Sequence, residues 1–143
     1  MSMSDWEIKA AIKETIDGYA GAAAKRDVER YVSYFTEEGE LVNVAKLMGQ
    51  ADPLVGRSAI HAFISASFEG CSWLEQQNTT TQIILGPDKT SATASTSFLE
   101  FAQPKEGPQV MVIARYDDEL KLVDGRWLFS RRVLTPHRFS SMP

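Results

Sequence analysis

Residues 110–134 read VMVIARYDDELKLVDGRWLFSRRVL, and the period of this stretch decides the fold. Every second residue from Val110 gives Val110, Val112, Ala114, Tyr116, Asp118, Leu120 and Leu122, a mostly apolar set. The other set, from Met111 to Val123, carries Arg115, Asp117, Glu119 and Lys121. A period of two describes a strand with one face on a core and the other toward water. A strand of this length is expected to curve strongly. Asp124-Gly125 is the strongest hairpin signal in the chain, and residues 126–134 form the returning strand. Counting outward from that turn, Val123 pairs with Arg126, Leu122 faces Trp127, Leu120 faces Phe129 and Asp118 faces Arg131. Directly opposed residues share a face, so Asp118 and Arg131 are expected inside as an ion pair. A buried carboxylate requires such a partner. A bulge in either strand would turn Arg132 inward instead.

The same period continues upstream. Residues 79–85 and 91–102 read as strands, separated by the turn Gly86-Pro87-Asp88-Lys89 and followed by a loop at 104–108. In the second of these, Ala92, Ala94, Thr96, Phe98 and Glu100 share one face.

Nearer the N-terminus the period changes to that of a helix. Ser4 and Glu7 have capping-box spacing, and Ile8, Ile12, Ile16, Tyr19 and Ala23 form one stripe. Asp27 caps a second helix with Val28, Tyr31, Val32 and Phe35 inward, which Glu38-Gly39 ends. Residues 41–44 predict a short first strand. Ser58 opens a third helix, with Ala59, Ile60, Phe63, Ile64 and Phe68 buried and Gly70 at its end. Helices first, then an antiparallel meander, make an α+β domain with three N-terminal helices on one side of the sheet. One domain spans residues 1–143, with an irregular tail at 135–143.

The chain has 143 residues, 43% of them hydrophobic and 24% charged, with a net charge of −4. There is no basic stripe, so nucleic acid is not an expected partner. A single cysteine, Cys71, allows no internal disulfide, and His61 and His137 have no metal-ligand spacing with it. No metal is expected. Residues 1–14 are polar and hold no apolar run of the signal-peptide kind, and no apolar stretch is long enough to cross a membrane. The expectation is a cytoplasmic protein with no membrane partner.

Three sets of residues resemble one family. Tyr19, Arg26-Asp27-Val28 and Tyr34-Phe35-Thr36-Glu37-Glu38-Gly39 make the first. Gly56-Arg57-Ser58-Ala59-Ile60 with Phe63 makes the second. Residues 115–120, then Val123-Asp124-Gly125-Arg126-Trp127, Phe129 and Arg131-Arg132 make the third. Together, over about residues 5–135, they are similar to SnoaL-like proteins of the nuclear transport factor 2-like superfamily. The resemblance implies a cone-shaped half-barrel sheet around the helices, a pocket between them, and a homodimer through the sheet. The fold hosts dehydratases, isomerases, cyclases, epoxide hydrolases and non-catalytic subunits, so it does not fix the function. Related dehydratases carry a tyrosine on the first helix, an aspartate five residues later and a histidine at the start of the strand after the third helix. Tyr19 matches the first. The other positions hold Ala24 and Gln77 or Asn78, and neither alanine nor an amide can serve as a base.

Glu100 is the expected replacement base, since burial would raise its pKa toward neutrality. Tyr19 is the expected hydrogen-bond donor to a substrate oxygen, and Asp118 the second candidate for moving a proton. Asn78, Gln77, Trp73, Thr96, Phe98, Tyr116 and Arg131 are the candidate substrate-binding residues. No phosphate loop or dinucleotide fingerprint is present, so no cofactor is expected. The leading expectation is a lyase or isomerase acting on a hydrophobic ring compound. The alternatives are a non-catalytic binder of an apolar molecule and an oxygenase small subunit.

Overall fold

The computed structural model describes residues 2–141. The first helix, α1 (Asp5–Lys25), begins with the expected reciprocal cap: Ser4 N donates to Glu7 Oε2 at 2.8 Å, and Glu7 N donates to Ser4 Oγ at 3.2 Å. Its stripe from Ile8 to Ala23 is buried. Helix α2 (Val28–Ser33) starts on an Asp27 side-chain cap. The longer helix α4 (Arg57–Glu69) buries Ile60, Phe63, Ile64 and Phe68.

The sheet has six strands in the order β2-β1-β6-β5-β4-β3. Strand β1 is Phe35–Val42, β2 Leu54–Val55, β3 Cys71–Leu85, β4 Ser91–Pro104, β5 Val110–Val123 and β6 Arg126–Ser141. All neighbours are antiparallel except β1 and β6, which run parallel. The sheet is therefore mixed, not purely antiparallel. It is long and bent, and its bulges at 78–80, 113–114 and 119–120 each add local bending. The core lies between its inner face and the helices.

The alternation from Val112 to Leu120 holds: Val112, Ala114, Tyr116, Asp118 and Leu120 are all buried. Asp124 and Gly125 both have positive φ, 50° and 79°, as a two-residue turn matched to the strand twist demands. Pairing follows the expected register as far as Leu120 opposite Phe129. There the register breaks. Ser130 is extra, its hydroxyl donating to the Glu119 carbonyl at 3.1 Å, and Arg132 falls opposite Asp118. Arg131 is turned outward, opposite Glu119, with Glu40 3.5 Å away. The expected Asp118–Arg131 pair is thus replaced by Asp118–Arg132.

Four other differences are seen. The second helix stops at Ser33, and Glu38-Gly39 belongs to β1 instead of ending it. Two backbone tethers make that strand: Phe129 N donates to the Tyr34 carbonyl at 2.8 Å, and the Arg57 guanidinium grips the Phe35 carbonyl. A Cβ at Gly39 would lie 2.9 Å from the Phe129 carbonyl oxygen, so only glycine lets the strands approach. Residues 44–47 form a short helix, α3 (Val44–Leu47), where Asp52 accepts from Asn43 N and Lys46 N. Strand β3 starts eight residues earlier than expected, at Cys71 in place of Thr79. The tail is not irregular: residues 135–141 continue β6 along β5, while 142–143 lie outside the described residues.

Candidate functional site

Two carboxylates stand on the inner face of the sheet, and their surroundings differ. Asp118 on β5 meets Arg132 on β6. Arg132 Nε donates to Oδ1 at 2.7 Å and Nη2 to Oδ2 at 3.1 Å. Both side chains are essentially inaccessible, at 0% and 1%. The guanidinium also lies 4.2, 4.0 and 4.1 Å from the ring centres of Tyr19, Tyr116 and Phe129. Planar, weakly hydrated guanidinium is the cation suited to such a cage. The carboxylate beside it holds Arg132 protonated, above its ordinary value, despite burial. Burial pushes Asp118 up, and the guanidinium opposes that push.

Above this pair sit three phenols. Tyr19 from α1 shares hydrogen bonds with Tyr31 of α2 and with Tyr116 of β5, the latter at 3.1 Å. Phe98 stacks on Tyr116 with ring centres 4.7 Å apart. Three hydroxyls carry three protons, and two contacts use two of them. One proton is left to donate elsewhere. Burial raises all three phenol pKa values well above 10, and the Arg132 charge pulls each back. The trio is therefore a neutral donor group with a cation behind it.

Glu100 on β4 is the second carboxylate. It is directly opposite Gln76 of β3, and Gln76 Nε2 donates to its Oε1 at 3.0 Å. Its other oxygen accepts nothing from the described residues. Among the described residues no fully buried side-chain polar atom is left without a partner, so that oxygen is not fully buried. Burial raises the Glu100 pKa, while the Gln76 bond lowers it. The Glu100 charge in turn pushes up Tyr31, Tyr116 and the Cys71 thiol.

The other candidates divide by face. Thr96 and Phe98 are buried on the inner side, as is Tyr116. Asn78 is half-buried, with its amide donating to Asp17 Oδ1 at 3.0 Å. Gln77 and Trp73 alternate with Gln76 and Leu74, so they point away from the helices; Trp73 is 41% exposed. They and Arg131 cannot line the interior, which corrects the expectation for all three. Asp118 is inside but fully engaged. Sequence reasoning missed Gln76 and the polar role of Tyr31, and named Arg132 only as the outcome of a bulge, which is the one observed. Strand parity from Leu74 would have found Gln76, and Tyr31 was already on the inward stripe of α2.

The expected apolar pocket has a different outcome. The centre is filled by the phenols, Phe98, Phe129 and Arg132. A hollow of about 410 Å3 opens on the outer face of the sheet beside Ile84, Thr93, Asp117 and Arg131. Another of about 380 Å3 lies between α2 and α4. There His61 Nε2 meets Glu29 Oε1 at 2.6 Å, as a surface residue should. Among the described residues, no three metal-ligating side chains cluster, and no helix is long and apolar enough to cross a membrane.

Comparison with known proteins gives one consistent picture. A scytalone dehydratase candidate from Novosphingobium aromaticivorans matches with a TM-score of 0.86 at 21% identity, over 97% of this chain and 90% of its own. Hexachlorocyclohexane dehydrochlorinase LinA-type3 from Novosphingobium barchaimii matches with a TM-score of 0.80 at 16% identity, over 96% and 91%. A cystatin-like protein of unknown function from Nostoc punctiforme matches with a TM-score of 0.70 at 16% identity, over 95% of each chain. At these identities the likeness is one of fold. None of the curated proteins matches. The model of the SnoaL-like domain matches residues 4–133, nearly the whole chain, and the protein belongs to that family.

Proposed function

We propose that the protein is a cofactor-free lyase or isomerase that moves a proton on a neutral, hydrophobic ring compound. Glu100 is its base. The observation that carries this is the half-buried Glu100 carboxylate on the inner face, with one oxygen held by Gln76 and the other without a hydrogen-bond partner among the described residues. A base needs a free lone pair and a pKa lifted toward neutrality, and burial supplies the lift. Asp118 has neither, since two guanidinium nitrogens occupy it.

In the dehydration of a cyclic β-hydroxy ketone, Glu100 takes the proton next to the carbonyl. The C–H electron pair becomes the enolate, whose oxygen accepts from a phenol of the trio. The enolate then expels the β-hydroxyl, which leaves as water with the proton that Glu100 returns. In an isomerisation, the same carboxyl returns that proton to another carbon. The substrate is neutral because the interior offers a carboxylate and no unpaired cation among the described residues. Hydrogen-bond donors aimed at developing charge in a dry site are a major source of rate.

The test is a panel of cyclic β-hydroxy ketones, followed by the ultraviolet absorbance of the conjugated product. Wild type should turn over at least one, and Glu100→Gln should lose ~100-fold or more of kcat, the lower range of a general base's contribution. Equal activity in Glu100→Gln removes the carboxylate from the chemistry. A second reading, binding without turnover, is favoured by Ala24, by outward-facing Gln77 and by Asn78 held on Asp17. It predicts that the same compounds bind to both proteins and that neither transforms them.

A further inference from the structure

We propose that Gln76 is a positioning residue, whose side-chain amide fixes the Glu100 carboxylate with Oε1 engaged and Oε2 presented to the ligand. This rests on the assignment of Glu100 as the base. Gln76 and Glu100 are direct cross-strand partners on the inner face, just before the bulge at 78–80. That register leaves the amide nitrogen 3.0 Å from Oε1. Gln76 is only 9% exposed, and its one side-chain hydrogen bond is to Glu100. A long, flexible amide is costly to bury without a purpose, because both its polar ends must be satisfied or solvated.

The chemistry of the partner matters as much as its place. Arg132 gives Asp118 two charged donors and makes it a fixed anion. An apolar residue at 76 would leave Glu100 to protonate in its partly buried setting. A neutral amide stands between these extremes: one donor holds one oxygen, and the carboxylate keeps its basicity. Across the sheet Glu100 is flanked by Gln76 of β3 and Val112 of β5, and the titratable groups that its charge raises are Cys71 of β3, Tyr31 of α2 and Tyr116 of β5. The Arg26 guanidinium is bonded to the Cys71 carbonyl beyond them. None is a second carboxylate.

The experiment is a carbon-13 titration of the Glu100 carboxyl in the wild type and in Gln76→Met, which keeps the length and burial of the side chain. The acid dissociation constant should fall about tenfold in the variant, as expected for losing one hydrogen bond to a charged group. The pH profile of kcat/KM should move to the alkaline side with it, through kcat more than KM. An unchanged Glu100 titration overturns the proposal. If Gln76→Met fails to fold, the side-chain amide of Gln76 in the wild type is the second probe. Its NH2 shifts must follow the Glu100 titration, and flat shifts overturn the proposal. Because the titration needs no substrate, it is separable from the base assignment. A shifted carboxyl together with full activity in Glu100→Gln would keep the positioning and discard the base.

Discussion

Asp118 and Glu100 make the most instructive comparison in the molecule. They lie on neighbouring strands, on the same inner face of the sheet, yet one is closed and the other open. Asp118 meets a bidentate guanidinium that is itself caged by three rings. Glu100 meets one neutral amide and keeps an oxygen free. The closed pair has both carboxylate oxygens engaged by charged donors, which makes it a structural element. The open one is destabilised as an anion by its burial and has an oxygen to spare, which are the properties that the proposed base needs. Carboxylates of the same class end closed or open according to the charge of the single partner across the strand.

The sharpest break is Arg132→Ala. It strands a buried carboxylate and removes the centre of the aromatic cage, so stability should fall by ~3–5 kcal/mol in urea unfolding. Replacing both partners by apolar residues, as in Asp118→Leu with Arg132→Met, should recover most of that loss. A loss under ~1 kcal/mol for Arg132→Ala would mean the pair is not closed.

Next comes Tyr19→Phe. It deletes the hydroxyl shared by Tyr31 and Tyr116 and should cost ~1–2 kcal/mol in the same assay. The effect should extend to function, since the spare proton then has no shared network.

Glu100→Gln is a smaller effect with a defined pH dependence. Burial raises the carboxyl above its ordinary 4.5, so the folded protein holds this proton more tightly than the unfolded chain does. The stability it contributes is complete below about pH 4.5 and is lost as the pH rises through the folded-state value. Glu100→Gln escapes that loss. It should match wild type near pH 4 and exceed it by ~1 kcal/mol or less near pH 7, in parallel denaturation series. A gap that widens toward acid instead would show the carboxylate to be favourably paired.

The smallest effect is Arg131→Ala. Its guanidinium is half-exposed and 3.5 Å from Glu40, so the loss should stay below ~0.5 kcal/mol. Two adjacent arginines would then differ several-fold in their contribution, through strand parity alone.

Much of the fold was legible because it is local. The capping box at Ser4 and Glu7, the stripe from Ile8 to Ala23 and the turn at Asp124-Gly125 are set by near neighbours. So is the alternation from Val112 to Leu120. The parallel pairing of β1 with β6 was not legible, because it depends on tethers from Arg57 and Phe129, distant along the chain. Of the candidate residues, Glu100, Tyr116, Thr96 and Phe98 stand on the inner face of the sheet as expected, and Tyr19 on the buried stripe of α1. Arg131 does not, by one residue of parity, and Trp73 and Gln77 fall on the outer side of a strand that begins earlier than expected.

The sequence by itself determined the long helices and the hairpin at Asp124-Gly125, which of their faces are apolar, and that two carboxylates would stand on an apolar face. Only the tertiary structure decided which partner each receives. A single extra residue at Ser130 exchanges Arg131 for Arg132, and the register of β3 on β4 sets Gln76 across from Glu100. The physical reason is that side chains in a strand alternate with a period of two, while bulges are placed by long-range packing. One unpaired residue inverts everything beyond it.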